Sequence, residues 1–125
     1  PEEEFQFEVP PPELKLNADR TQIEQILINL LKNAREACSR KSDKKIQVKV
    51  RRLSAGNTTL TISDNGEGIL PDVLDKIFVP FFTTKTSGSG IGLSLCKQIM
   101  TLHEGSINVK SEVGKGSSFI LTFPK

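Results

Sequence analysis

The chain has 125 residues, 36% of them hydrophobic, which is enough for one domain with a substantial core. Its 17 basic and 15 acidic residues leave a net charge of +2, which excludes the broad positive field of proteins that bind nucleic acids or anionic membranes. No apolar run approaches the roughly 20 residues that span a bilayer, and the acidic start Pro1-Glu2-Glu3-Glu4 is unlike a signal sequence. We therefore expect a single domain over residues 1–125, part of a longer protein because no initiator Met is present, with no membrane contact of its own.

The first half of the chain predicts a strand followed by a long amphipathic helix. Alternating apolar residues from Glu4 to Val9 indicate a half-buried strand, which Pro10-Pro11-Pro12 ends, and a short extended piece follows at Glu13 to Leu16. Asp19 is a suitable N-cap for a helix from about Arg20 to about Ser39. The apolar stripe of this helix comprises Ile23, Ile26, Leu27, Leu30, Leu31, Ala34, Ala37 and Cys38.

Two asparagines lie at the edge of that stripe. Asn29 and Asn33 are four residues apart, so their side chains share one face, roughly 90 to 130° from the middle of the stripe. Asparagine is a poor helix-interior residue because its amide competes with the backbone for hydrogen bonds. The pair therefore points to a functional role, with two ordinary solvated side chains as the alternative.

The middle of the chain predicts a hairpin and a short helix. Apolar residues alternate in Ile46 to Val50 and in Leu60 to Ile62, on either side of a turn at Ser54 to Asn57. The second strand of this antiparallel hairpin ends at Asp64. A short helix is expected from Asp72 to Ile77.

The last third predicts a helix and a closing hairpin. The helix begins near Gly90 and has two apolar stripes, which predicts burial on two sides. The stripes are Ile91, Leu95, Ile99 and Leu102, and Leu93, Cys96 and Met100. The tail alternates in Ser106 to Lys110 and in Ser117 to Phe123, around Gly114-Lys115-Gly116. The spacing of Cys38 and Cys96 fits neither a metal site nor a disulfide framework, so we expect two buried thiols in a reducing compartment.

Two glycine clusters flank a loop rich in aromatic and cationic residues. Asp64-Asn65-Gly66-Glu67-Gly68 follows a predicted strand, and Gly88-Ser89-Gly90-Ile91-Gly92 opens a predicted helix, with Phe78 to Lys85 between them. Glycine allows backbone to come close to a ligand, and the N–H groups at a helix N-terminus suit phosphate oxygens. The layout predicts a binding site.

Four blocks now stand in order: Asn29-Leu-Leu-Lys-Asn33-Ala34, Asp64-Asn-Gly66-Glu-Gly68, Phe78-Val-Pro-Phe81-Phe82-Thr-Thr-Lys85 and Gly88-Ser-Gly90-Ile-Gly92-Leu93. Together they resemble the N, G1, F and G2 boxes in the catalytic and ATP-binding domain of bacterial sensor histidine kinases. That domain belongs to a superfamily shared with DNA gyrase B, heat-shock chaperones and mismatch-repair ATPases. The resemblance implies the α+β Bergerat fold, a two-layer α/β sandwich with three helices on one face of a mixed, largely antiparallel sheet.

The resemblance implies Mg·ATP as the ligand, with Asn29, Asn33 and Lys85 as the catalytic residues. Asn33 would hold the metal, because a neutral amide oxygen suits a Mg²⁺ ion whose other ligands are phosphates and waters, and Asn29 would help to fix it. Phe81 and Phe82 would anchor the loop as a lid, poorly ordered without nucleotide from Phe82 to Ser89. The residues implied at the phosphates are Lys85, Gly88, Gly90, Ile91, Gly92 and Leu93.

At the other end of the site, the resemblance implies contacts to adenine. Asp64 would accept a hydrogen bond from the exocyclic amine, which distinguishes ATP from GTP. Gly66 and Gly68 would leave room for the base and let the loop turn, and Ser117 matches the position of a hydroxyl beside that aspartate.

Three features depart from the family pattern or imitate another one. Many sensor kinases have a basic residue three positions after the metal-binding Asn, where this chain has Glu36, so Lys32 or Arg35 would have to substitute. Gly114-Lys115-Gly116 resembles a P-loop but lacks the earlier glycine and lies in a hairpin turn. His103 lies after the second glycine helix, unlike the phosphoacceptor, which belongs to a separate upstream hairpin. We interpret it as a helix C-terminal residue.

The resemblance implies a kinase domain that passes the γ-phosphate of ATP to a histidine on a dimerisation and phosphoacceptor domain, with a response regulator downstream. This domain would be monomeric and cytoplasmic, within a homodimeric kinase that is either free or membrane-anchored. Two alternatives remain. A hydrolytic ATPase of the gyrase and chaperone type uses a Glu as general base where this chain has Asn29, and an amide cannot take a proton from water. The third hypothesis is a non-catalytic nucleotide-binding regulatory module.

Overall fold

A computed structural model describes the backbone of residues 5–8 and the complete residues 19–53, 55–82 and 92–124. The order of helices and strands confirms the expected α+β organisation. The predicted extended piece at Glu13 to Leu16 lies outside the described residues. The elements are β1 (Phe5–Glu8), α1 (Arg20–Ala37), β2 (Ile46–Arg52), β3 (Thr58–Asp64), α2 (Pro71–Leu74), α3 (Gly92–Leu102), β4 (Ser106–Glu112) and β5 (Gly116–Phe123).

The strands form one sheet in the order β1-β2-β3-β5-β4. β1 runs parallel to β2, and the other neighbours are antiparallel, which confirms the mixed, largely antiparallel sheet. Both predicted hairpins are present. In the registers that matter for the site, Asp64 at the end of β3 pairs with Ser117 of β5, and Ser117 pairs with Ser111 of β4.

The helices cover one face of this sheet and bury the alternating apolar residues of its strands. α1 contributes the fully buried Ile26 and Leu30, each of which stabilises the fold by about 2 kcal/mol through burial. The buried core also contains Ala34, Cys38, Ile46, Val48, Leu60, Ile62, Ile77, Cys96, Ile99, Met100, Phe119, Leu121 and Phe123. Cys38 and Cys96 are both free thiols, as expected.

α1 begins where the sequence predicts, and its N-terminus is fixed from two directions. Asp19 accepts a hydrogen bond from the Gln22 N–H at 2.9 Å and caps the helix. The Asp19 N–H itself donates to Nε2 of His103 at 2.9 Å, while Nδ1 of His103 lies 2.9 Å from the Ile99 carbonyl. His103 follows α3 directly, so its predicted place at that helix end is confirmed, and it ties the end of α3 to the start of α1.

The structure differs from the sequence prediction in three places. α1 ends at Ala37 instead of Ser39, and α2 is a single turn that ends at Leu74, followed by further turns to Phe78. The two-sided burial predicted for α3 is wrong at its C-terminal end, because Leu102 is 67% exposed. The helix packs against α1 and the sheet on one side and faces solvent on the other.

No helix within residues 19–53, 55–82 and 92–124 combines the length and the apolar character needed to cross a lipid bilayer.

Candidate nucleotide-binding site

Asp64 lies at the end of β3, where the chain leaves the sheet. Its Oδ1 accepts a hydrogen bond from the Gly66 N–H at 2.9 Å, and the Ser117 backbone N–H also donates to the carboxylate. Burial raises the pKa of Asp64 above its ordinary value, and the hydrogen bonds from Gly66 and Ser117 oppose that rise. The carboxylate is therefore held in one orientation beside Ser117, the neighbour that the family resemblance implies.

The two glycines after Asp64 are required by packing. A Cβ at Gly66 would lie 2.5 Å from the Ala37 carbonyl oxygen, at the end of α1. Gly68 has φ +79°, and a Cβ there would overlap the Glu112 carbonyl oxygen at the end of β4, where the β4–β5 turn begins. The loop after β3 is thus clamped between a helix end and a hairpin turn. The predicted turn at Gly68 is confirmed, while room for a base at either glycine remains a prediction.

Asn65 is an organising residue that the sequence interpretation did not single out. Its Oδ1 accepts from the Lys45 N–H at 2.9 Å and from Sγ of Cys38 at 3.5 Å, and its Nδ2 donates to the Asp43 carbonyl at 2.7 Å. One side chain therefore joins the glycine loop to the end of α1 and the loop before β2. An Asn-Gly pair is a general turn signal, and it does not by itself mark such a network.

Asn29 and Asn33 are half-buried at the edge of α1, as predicted. Nδ2 of Asn29 donates to the Gln25 carbonyl at 3.1 Å, and the side chain also hydrogen-bonds the buried thiol of Cys96. A Cβ at Gly92 would lie 3.1 Å from Oδ1 of Asn29. The small residue at the start of α3 therefore makes room for Asn29, and the two helices meet at this point.

The phosphate side of the predicted site is described only in part. Lys85, Gly88, Gly90 and Ile91 lie outside the described residues, and so does the predicted lid from residue 83 onward. Gly92 is the first residue of α3, and the side chain of Leu93 packs partly buried against the core. A contact from Leu93 to a ligand remains a prediction.

The aromatic block before this region is anchored differently from the prediction. Phe81 is 77% exposed and has φ +67°, an unusual conformation for a bulky residue, so it does not anchor the loop in this structure. Phe78 packs partly buried against the core instead, with Nζ of Lys97 5.7 Å from its ring centroid. Phe82 is half-buried.

Residues 18–125 match the family model described as histidine kinase-, DNA gyrase B-, and HSP90-like ATPase. The catalytic domain of the histidine kinase ThkA, in a nucleotide-free form, superposes with a TM-score of 0.84 at 38% identity, covering 98% of this chain and 78% of that one. The histidine-protein kinase AtoS of Escherichia coli is 43% identical over 109 residues, or 87% of this chain and 18% of AtoS. The sensor protein DctB of Rhizobium meliloti is 40% identical over 121 residues, or 97% of this chain and 19% of DctB.

The chain belongs to the histidine kinase-, DNA gyrase B- and HSP90-like ATPase family. Within that family its fold and its relatives are those of the histidine kinase catalytic domains. The chain spans about a fifth of the length of the curated relatives it matches, at 18% of AtoS and 19% of DctB.

Proposed function

We propose that this domain binds Mg·ATP and donates the γ-phosphate to a histidine on the phosphoacceptor domain of the same kinase, in two-component signalling. The observation that carries the proposal is the pairing of Asp64 with Ser117 at the strand ends. The loop after Asp64 is clamped against α1, the helix that carries the asparagine pair. We call Asp64 to Gly68 with Ser117 the adenine end, and Asn29, Asn33 and Gly92 the metal end.

The adenine end offers hydrogen-bond acceptors. The fixed carboxylate of Asp64 would accept a hydrogen bond from the exocyclic amine of adenine, which guanine replaces by a carbonyl oxygen. Such a contact favours ATP over GTP. With GTP, the Asp64 carboxylate and the guanine carbonyl oxygen would both be acceptors, and each would be left unpaired in a buried place.

At the metal end, the family resemblance makes Asn33 the candidate for the direct Mg²⁺ ligand and Asn29 its support. The amide of Asn29 is engaged with the Gln25 carbonyl and with Cys96, and its oxygen lies against Gly92. Asn33 is half-buried one turn further along the same edge. Within residues 19–53, 55–82 and 92–124 no group of three or more His, Cys, Asp or Glu could hold a metal. The neutral amide fits Mg²⁺, which when bound would supply charge neutralisation at the phosphates.

The remaining roles concern positioning. Phosphoryl transfer needs little covalent chemistry from the protein, so the domain would act by holding the triphosphate and neutralising its charge. Lys85 would add a positive charge, and backbone N–H groups at Gly88, Gly90, Ile91 and Gly92 would bind phosphate oxygens. Asn29 would act as a support for Asn33 and not as a general base, since its neutral amide cannot take a proton from water.

Partners and location are proposed from the relatives. The ThkA kinase has been solved in complex with the response regulator TrrA, and that complex superposes with a TM-score of 0.75 at 34% identity, covering 97% of this chain and 34% of ThkA. We infer that a response regulator receives the phosphate from a homodimeric kinase, and that this domain works in the cytoplasm.

The test is phosphotransfer in trans. The domain is incubated with Mg·ATP labelled at the γ-phosphate and with the separately produced phosphoacceptor domain of the same kinase. The proposal predicts alkali-stable, acid-labile label on the acceptor, dependent on Asn33 and Asp64. Nucleotide binding without transfer would favour the regulatory module, and fast hydrolysis by the isolated domain, lost in Asn29→Ala, would favour the hydrolytic ATPase.

A further inference from the structure

Ser111 on β4 is the centre of a small hydrogen-bond network behind the adenine end. Its Oγ accepts from the Ile69 N–H at 2.8 Å, donates to the Gly116 carbonyl at 3.1 Å and lies 2.8 Å from Oγ of Ser117. The two serines are paired in the β4–β5 register, and Ser117 is only 6% exposed.

The direction of these hydrogen bonds follows from the capacity of a hydroxyl. A serine hydroxyl has one hydrogen and two lone pairs. Ser111 gives its hydrogen to the Gly116 carbonyl, which can only accept, and it receives the Ile69 N–H on one lone pair. The assignment that makes all three contacts hydrogen bonds at once has Ser117 as the donor to Ser111. In this assignment the hydroxyl hydrogen of Ser117 is directed to Ser111, and the Ser117 oxygen keeps its lone pairs for acceptor contacts.

We propose, on the basis of the function proposed above, that Ser111 is a positioning residue that sets the nucleotide preference of the adenine end. By taking the Ser117 hydrogen, Ser111 makes Ser117 an acceptor like the neighbouring Asp64 carboxylate. A pair of acceptors suits the amino group of adenine and opposes the carbonyl oxygen of guanine. By binding the Ile69 N–H, Ser111 also fixes the loop that follows Gly68.

A second serine pair in the same sheet provides a matched control. Ser63 of β3 and Ser118 of β5 form a second serine pair, also 2.8 Å apart. Ser118 is adjacent to Ser117 in the strand and so points to the opposite face of the sheet. Ser118→Ala therefore removes a comparable hydrogen bond without touching the adenine end.

The experiment measures the affinities of Mg·ATP and Mg·GTP by isothermal titration calorimetry for the wild type and for Ser111→Ala, Ser111→Thr and Ser118→Ala. We expect Ser111→Ala to weaken ATP binding about fivefold, the effect of one neutral hydrogen bond, and to reduce the preference for ATP over GTP. The freed Ser117 hydroxyl can then turn and donate to guanine. Ser111→Thr keeps the hydroxyl, so its ATP affinity and its preference for ATP over GTP should match the wild type. Ser118→Ala should leave both quantities unchanged.

If Ser111→Ala fails to fold, Ser111→Cys replaces it, because the thiol preserves the shape but is a weak hydrogen-bonding group. An unchanged ratio of ATP to GTP affinity in folded Ser111→Ala or Ser111→Cys overturns the role of Ser111 and leaves the proposed function standing. An equal change of that ratio in Ser118→Ala has the same meaning. A wild-type domain that binds no ATP overturns the proposed function, and the role of Ser111 with it.

Discussion

The adenine end and the metal end are held by different kinds of structure. At the adenine end, close backbone packing holds the loop, because Gly66 and Gly68 pack against a helix end and a hairpin turn. Backbone N–H groups fix Asp64, and hydrogen bonds to the Asn65 and Ser111 side chains add to this packing. At the metal end, a single side chain connects the elements, because the Asn29 amide reaches from its own helix to Gly92 and Cys96 on α3. Substitutions of the glycines at the adenine end should therefore affect folding and binding together, whereas substitutions of single polar side chains should affect binding more selectively.

The largest effect is expected from Gly116, the glycine that packs against the adenine end. Gly116 has φ +127°, and a Cβ there would overlap the Asp64 carbonyl oxygen. Gly116→Ala should lower the free energy of unfolding by about 3 kcal/mol or more, or prevent folding. Gly114→Ala is the control, since Gly114 has φ +84° but nothing lies within 4 Å of its Cβ position, and it should lose only about 1 kcal/mol. Urea unfolding followed by circular dichroism compares them, and equal losses would contradict the clamped packing.

Asp64→Asn is expected to separate binding from folding. The charge-assisted hydrogen bond to adenine is lost, so affinity for Mg·ATP should fall about 10- to 100-fold. Stability should not fall with it, because burial raises the pKa of Asp64 and the folded state therefore disfavours its ionised form.

The pH dependence of Asp64 has a definite sign. Because the pKa of Asp64 is raised, the folded state binds the proton more tightly than the unfolded chain does. The contribution of Asp64 to the free energy of unfolding therefore decreases as pH rises. The decrease begins near the ordinary aspartate pKa, about 3.9, and ends above the pKa of the folded state. Asn does not titrate. The stability of Asp64→Asn relative to the wild type should therefore increase over that window and then level off, in urea unfolding from pH 4 to 7. A variant that loses relative stability as pH rises would show that the carboxylate is stabilised instead.

At the metal end, Asn33→Ala should remove the part of ATP affinity that depends on Mg²⁺. We expect a loss of about tenfold in the presence of Mg²⁺ and no change in EDTA. Asn29→Ala should have a smaller effect, because its amide supports the site from a position against α3. Asn108→Ala, an exposed asparagine of β4, serves as the control. Equal losses with and without Mg²⁺ would assign Asn33 to the nucleotide and not to the metal.

The smallest effect on binding and folding is expected at the two thiols, of which one lies near each end of the site. Cys38 contacts Asn65 near the adenine end and Cys96 contacts Asn29 at the metal end, and burial raises the pKa of both. The pKa of Cys96 rises to about 12 from its ordinary 9.0, which lowers its thiolate fraction near neutral pH roughly a thousandfold. Native protein should therefore react very slowly with iodoacetamide at both cysteines and quickly in urea. Rapid native labelling of Cys96, found by peptide mass spectrometry, would mean that the metal end opens readily.

Much of the fold was predictable because its signals are local. The stripe of α1, the two hairpins and the position of the Asn pair follow from helical and strand periodicity, and Asp19 caps the helix as its sequence context indicates. The position of Asp64 beside Ser117 is not a local signal, because β3 and β5 are far apart in the chain, and it was implied only by the family resemblance.

The rest depends on contacts between distant parts of the chain. His103 binds the Asp19 N–H across 84 residues, and Ser111 binds the Ile69 N–H across 42, and no local pattern marks either pair. The packing reason for Gly92 appears only when α1 and α3 meet. Phe81 was wrongly expected to anchor the loop, because an apolar residue in a sequence does not show whether a core lies within its reach.

The most direct test of the central claim is calorimetric titration of the wild-type domain and of Asp64→Asn with Mg·ATP and with Mg·GTP. We predict saturable binding of one ATP by the wild type, much weaker binding of GTP, and loss of the ATP preference in Asp64→Asn. Absence of Mg·ATP binding at millimolar concentration, or equal binding of ATP and GTP by the wild type, would contradict an adenine site at Asp64.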